Sequence, residues 1–147
     1  MTQLEQEFPN LRAYGYKVTS PMDSQYNCAA YAADRQDQWW WPDPLYLYFW
    51  PQGVLRNRTL EAFQSAYATL GYEPCTDGKF EKGFEKVAIY AISDGEPKHV
   101  ARQLQTGMWT SKLGPHVDIE HHLESLVSHS YGAPVKFLKR PTSTQQS

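Results

Sequence analysis

FEKVAIYAISDGEPKHVARQLQTGMWTSK, residues 84–112, decides the fold. Phe84 to Ile92 is rich in Val, Ile, Phe and Tyr, the residues that fit a pleated surface. Ser93-Asp94-Gly95 is a turn, and His99 to Leu104 reads as the next strand. Gln105-Thr106-Gly107 turns again into Met108 to Lys112. The stretch predicts a three-strand antiparallel meander.

Outward from the meander the signals change period. Toward the C-terminus, Asp118 to Leu126 reads as a helix with Ile119, Leu123 and Leu126 on one face and Asp118 as its cap. Residues 134–139, PVKFLK, read as a final edge strand, and 141–147 as a frayed polar tail. Toward the N-terminus, Leu60, Phe63, Ala66, Tyr67 and Leu70 recur at helical spacing between a Thr59 cap and a Gly71 stop. Tyr26 to Gln36, with four alanines, predicts another helix capped by Ser24 or Asn27. In the connection between these helices, Pro42 and Pro44 forbid regular helix. Leu45 to Trp50 reads there as a short strand. Residues 1–24 read as an irregular lead-in with one short strand at Lys17 to Thr19.

With 147 residues the chain suits one domain, taken as residues 1–140. Lys and Arg number 14 against 16 Asp and Glu, which argues against a nucleic-acid partner. No apolar run approaches the roughly 18–20 residues of a membrane helix, so no membrane partner is expected. The N-terminus, MTQLEQEFPN, lacks the pattern of a signal or transit peptide, and the two cysteines make no disulfide framework. Both features predict a cytoplasmic protein.

Cys28 opens the first of these helices, where free N–H groups and the macrodipole favour a thiolate. A thiol nucleophile needs a base, usually His, oriented by a third polar group. His99, at the start of a strand after a turn, is the candidate base. Gln103, Thr110, Ser111 or Asp118 would orient it, with Asp118 favoured because a carboxylate best stabilises imidazolium. Asp118 nevertheless reads first as a plain helix cap. His116, His121 and His122 lie near Asp118 and Glu120, but adjacent helical histidines diverge by about 100°. HExxH and zinc-spaced cysteines are missing, so neither a metal nor a cofactor is expected. Cys75 reads as structural. Seven of the 21 aromatics fall between Trp39 and Trp50. Trp41 and Trp50, each beside Pro, read as core, and Trp39 and Trp40 as an exposed pair. With Tyr26 and Ser111 they make the candidate substrate-binding set.

Five strings resemble a bacterial family known only as a domain of unknown function: YNCAAYA (26–32), GFEKVAIY (83–90), HVARQL (99–104), WTSKLG (109–114) and DIEH (118–121). The likeness runs from about Pro9 to Pro141 and implies no activity. Tyr26-Asn27-Cys28-Ala29 is also similar to the Asp-Cys-Ser motif of NlpC/P60 and other papain-like cysteine hydrolases. That resemblance implies Cys28 as nucleophile, on a helix packed against an antiparallel sheet that supplies a His and a third polar residue. Lys86-Val87-Ala88-Ile89-Tyr90 is similar to that group's His-Val-Gly-Ile-Tyr strand, with Lys86 at the His position and Asn27 at the Asp position. Either the base has moved one strand on, to His99, or the fold persists without catalysis.

The expected fold is therefore α+β and papain-like, with a Cys-bearing helix and a second helix on an antiparallel sheet of about four strands. The expected function is a cysteine hydrolase or acyltransferase acting on a peptide, amide or acyl substrate through Cys28 and His99. The alternative is a non-catalytic module that binds a protein partner through residues 39–50.

Overall fold

A computed structural model describes residues 2–113 and 116–142. The meander forms as read: β3 (Phe84–Ala91), β4 (Pro97–Gln103) and β5 (Trp109–Lys112) are consecutive antiparallel neighbours. Four more strands extend it: β1 (Tyr16–Ser20), β2 (Glu73–Cys75), β6 (Asp118–His121) and β7 (Ala133–Pro141). The result is one seven-stranded antiparallel sheet in the order β1-β6-β5-β4-β3-β7-β2. The helices are short: α1 (Gln3–Glu7), α2 (Asn10–Tyr14), α3 (Cys28–Ala32), α4 (Leu60–Ala68) and a 3₁₀ turn, Leu123–Leu126. This overturns the expected papain-like architecture of two helices on about four strands.

The differences have local causes. Asp118–His121 is a strand because it is paired on both sides, with β1 and with β5. Two ladders of backbone hydrogen bonds outweigh a helical period carried by three residues. Only Leu123–Leu126 turns helically. Residues 134–139 are not an edge: β7 lies between β3 and β2, and the three-residue β2, interrupted by Pro74, closes that side. α3 stops early because Asp34 takes a left-handed conformation, φ 65°, while the Arg35 N–H returns to the Ala30 carbonyl. Leu45 to Trp50 is a loop, not a strand. The Asp43 carboxylate accepts the N–H groups of Leu47 and Tyr48 and meets Arg56. The lead-in is more ordered than expected, with Thr2 and Glu5 forming a capping box at α1. The tail assigned to 141–147 lies, from residue 143, outside the described residues.

The sheet has a core on each face. Val87, Ile89, Val100 and Leu138 pack on one side with α3, α4, Trp40 and Trp50. Ala88, Tyr90, Ala101, Trp109 and Ile119 pack on the other with Phe8, Leu11 and Leu126. α4 is seated by Thr59, whose hydroxyl accepts the Ala62 N–H at 3.2 Å. Thr59→Ala is expected to lower stability by about 1 kcal/mol, and Thr59→Ser to keep most of it. Urea melts check this, and equal midpoints for Thr59→Ala and the parent would refute it. Among the described residues no helix is long and apolar enough to cross a membrane.

Candidate functional site

Asn27 sets the start of α3. Its carbonyl oxygen accepts the Ala30 N–H at 3.2 Å and the Trp40 N–H at 3.0 Å, and its amide donates to the Trp40 carbonyl at 2.8 Å. One side chain thus caps the helix and ties it to the aromatic loop. Cys28 follows, 6% exposed. Burial pushes its thiol up to about 11, outweighing the N–H groups of Val100, Ala29 and Cys28 that face the sulfur. The helix-start effect expected to give a thiolate therefore loses to desolvation, and resting Cys28 is a neutral thiol. Its alkylation by iodoacetamide is expected to rise about tenfold per pH unit from 7 to 10 and level off only near 11. A plateau by pH 8 would exclude this.

His99 lies on β4, fully buried, with Tyr131 stacked on its ring at 4.2 Å and Tyr90 edge-on at 5.3 Å. Its Nε2 is 2.9 Å from Ser111 Oγ, which is 2.7 Å from His121 Nε2, and His121 Nδ1 is 2.7 Å from the His122 carbonyl. That carbonyl only accepts, so His121 carries its proton on Nδ1, and its bare Nε2 accepts the Ser111 hydroxyl. Ser111 then accepts from His99 Nε2–H, leaving His99 Nδ1 as an unprotonated lone pair. The directions hold because both rings are neutral. Burial holds His99 well below the ordinary imidazole value, reinforced by His121. Burial also lowers His121 to about 4, against the opposing pull of its bond to the His122 carbonyl. His99 Nδ1 is buried without a hydrogen-bond partner among the described residues, so the direct Cys28–His99 bond is not made.

Two groups, the Val100 amide and the Tyr131 ring, link the surroundings of Cys28 and His99. Strand alternation sends Val100 toward the α3 side and His99, with Ala101, toward the other. β4 and β5 pair only at Arg102–Thr110 and Gln103–Trp109, and nearer the start of β4 the Cys28 sulfur meets the Val100 amide. A cavity of about 230 Å³ opens there, lined by Asn27, Cys28, Trp39, Trp41, Tyr48, Lys98 and Tyr131. Tyr131 thus touches both this cavity and the His99 ring.

The family described as Domain of unknown function (DUF7689) matches residues 17–139. The chain belongs to this family. No curated protein and no solved structure matches it. The likeness to NlpC/P60 and papain-like hydrolases receives no support from these comparisons. Every residue of the cavity and of the His99 relay falls within the DUF7689 match.

The other candidate residues of this DUF7689 domain separate into distinct places. Trp39 lines the cavity, 5.5 Å ring to ring from Tyr48. Trp40 is buried in the core against Phe49 and Tyr67, so Trp41 takes the wall position expected of it. Ser111 is the polar partner of His99. Asp118 is not: its carboxylate accepts from the Tyr26 hydroxyl at 2.7 Å and from Ser20. Its register partner Lys112 holds its ammonium 4.7 Å from the Tyr26 ring and donates to the His116 carbonyl. Alternation on β6 puts Ile119 and His121 on the His99 side and Asp118 on the opposite one. Tyr26 therefore belongs with Asp118, away from the thiol cavity. Lys86 is buried and clamps the 77–81 segment through the Asp77 carbonyl at 3.1 Å and Glu81 at 3.6 Å. Tyr131, Lys98 and the relay role of His121 escape sequence reading. Only His121 leaves a signal, because a strand at 118–121 places it beside Ile119 on the meander's interior face.

Proposed function

We propose that this domain is a cysteine-dependent hydrolase or acyltransferase acting on an amide or peptide-type bond, with Cys28 as nucleophile and His99 as base. The observation that carries it is the bare, buried lone pair of His99 Nδ1, held by the Ser111–His121 relay under the Tyr131 ring, which also lines the cavity of Cys28. A buried acceptor without a partner is unfavourable by about 1–3 kcal/mol, and a catalytic role is one of the reasons a native structure keeps such a group.

The chemistry starts from a neutral pair, as in a serine hydrolase. As the sulfur attacks the carbonyl carbon, the thiol proton passes to His99 Nδ1. The imidazolium keeps its Nε2–H on Ser111, so the relay needs no rearrangement. His99 returns the proton to the leaving amine as the carbon–nitrogen bond breaks, leaving a thioester on Cys28. Water, or another acceptor, then attacks the thioester while His99 takes its proton, and the thiol is restored. The sulfur must close on Nδ1 for the first transfer, a tightening that catalytic pairs commonly complete on binding substrate.

Intact-mass measurement after exposure to p-nitrophenyl phenylacetate tests this. The expected product is a single acyl adduct on Cys28, absent in Cys28→Ala and formed at least tenfold more slowly in His99→Gln at equal folding by circular dichroism. Acylation at Cys75 alone, or at Cys28 with unchanged rate in His99→Gln, would overturn it. The second reading, binding through residues 39–50, draws on the exposed apolar tip Leu45, Tyr46 and Leu47. It predicts that Cys28 stays unmodified in the same experiment.

A further inference from the structure

Resting on the catalytic reading of Cys28, we propose that the cavity selects substrates that carry one aromatic ring and one carboxylate next to the amide bond. The size sets the first limit: about 230 Å³ lies below the roughly 300–1,000 Å³ that encloses a drug-sized ligand, so it admits one ring-sized group. The walls set the second. Trp39, Trp41, Tyr48 and Tyr131 surround the space, and aromatic rings favour an aromatic guest in offset or edge-on packing.

The charge sets the third. Asn27 is uncharged, its carbonyl oxygen held by Ala30 and Trp40 and its amide donating to Trp40. Among the described residues, Lys98 is the one charged side chain on the wall. Its ammonium lies 3.1 Å from Glu96, but the same carboxylate oxygen also serves Arg58 at 3.4 Å. Two cations share one anion, leaving a positive charge for a ligand carboxylate. Cys28 lines the same cavity, so a ring and carboxylate held there bring the adjoining carbonyl to the sulfur.

Binding is measured on the Cys28→Ala protein by tryptophan fluorescence and calorimetry, which separates it from turnover. N-acetylphenylalanine supplies ring and carboxylate, N-acetylphenylalaninamide the ring alone, and N-acetylalanine the carboxylate alone. The acid with the ring is expected to bind at least tenfold tighter than either other probe. Lys98→Gln is expected to erase the preference for acid over amide, Lys98→Arg to retain it, and Tyr48→Ala to weaken both phenylalanine probes. Equal binding of N-acetylalanine, an unchanged acid-to-amide ratio in Lys98→Gln, or no binding of the acid at millimolar concentration would overturn the proposal. Ring-and-carboxylate binding without acylation of Cys28 in the parent protein removes the hydrolase reading alone. Acylation without this binding preference removes the substrate class alone.

Discussion

Lowering the pH from 7 to 4 is expected to remove about 3 kcal/mol of folding stability through His121 alone. Burial sets its folded value near 4, below the ordinary 6.5 of an unfolded chain. Between those values the unfolded chain binds a proton that the folded one refuses. The stabilisation is therefore complete above pH 6.5 and lost progressively as pH falls toward 4. His99, enclosed by Tyr90 and Tyr131, is shifted in the same direction and adds to the loss. Protonating His121 also takes away the acceptor of the Ser111 hydroxyl, which breaks the relay that holds His99. Carboxylates with shifted values act lower on the scale. Asp77, held down first by the Lys79 amide, and Glu81, by Lys139, titrate below the usual carboxylate range. The window from pH 6.5 to 5 therefore reports the two histidines. Urea melts at pH 7.5, 6.5, 5.5 and 4.5 are expected to show a midpoint falling steeply below 6.5, with a shallower fall in His121→Gln. A midpoint unchanged between 7.5 and 5 would refute the buried neutral pair.

The sheet is legible where the sequence alternates and turns on glycine. β3, β4 and β5 announce themselves through Val87, Ile89 and Tyr90, and through Gly95 and Gly107, both at positive φ. α4 is legible because its cap, apolar face and Gly71 stop agree. β6 is hidden by Ile119, Leu123 and Leu126, whose spacing imitates a helix while pairing with distant β1 decides the outcome. The aromatic loop is unreadable for a related reason. Its shape comes from Asp43 and Asn27 bonding to backbone groups that are remote or out of sequence pattern. In the candidate site, Cys28 and His99 are picked out by local rules, and Ser111 is one of the four polar partners offered for His99. Asp118 is misplaced because its assignment to a helix conceals which face of the sheet it occupies. Tyr131 and Lys98 reach the cavity through tertiary packing alone. The neutral thiol escapes for the same cause: a helix-start rule carries no knowledge of the walls around Cys28.

Asn27→Ala is expected to destabilise the domain by about 3–7 kcal/mol, close to the whole margin of many small domains. The side chain is buried and makes three hydrogen bonds, each to the backbone. Losing the cap on Ala30 accounts for about 1 kcal/mol. The larger part comes from Trp40. Its N–H and carbonyl both turn to Asn27, in a region closed to water by the core, and alanine leaves both unmatched at about 1–3 kcal/mol each. Asn27→Asp separates these contributions. A carboxylate still accepts from Ala30 and Trp40, but it faces the Trp40 carbonyl with no proton to give. It should therefore keep the cap and lose the loop tie. Trp39 and Trp41 flank Trp40 and line the cavity, so the same substitution should also disturb the wall beside Cys28. Urea melts of the parent, Asn27→Asp and Asn27→Ala are expected to rank in that order, with Asn27→Asp nearer Asn27→Ala than the parent. Tryptophan emission is expected to shift to the red in both variants before the main unfolding transition. A loss below 1 kcal/mol in Asn27→Ala, with unchanged emission, would show that the aromatic loop is held by its own Asp43–Arg56 contacts and not by the residue before the thiol.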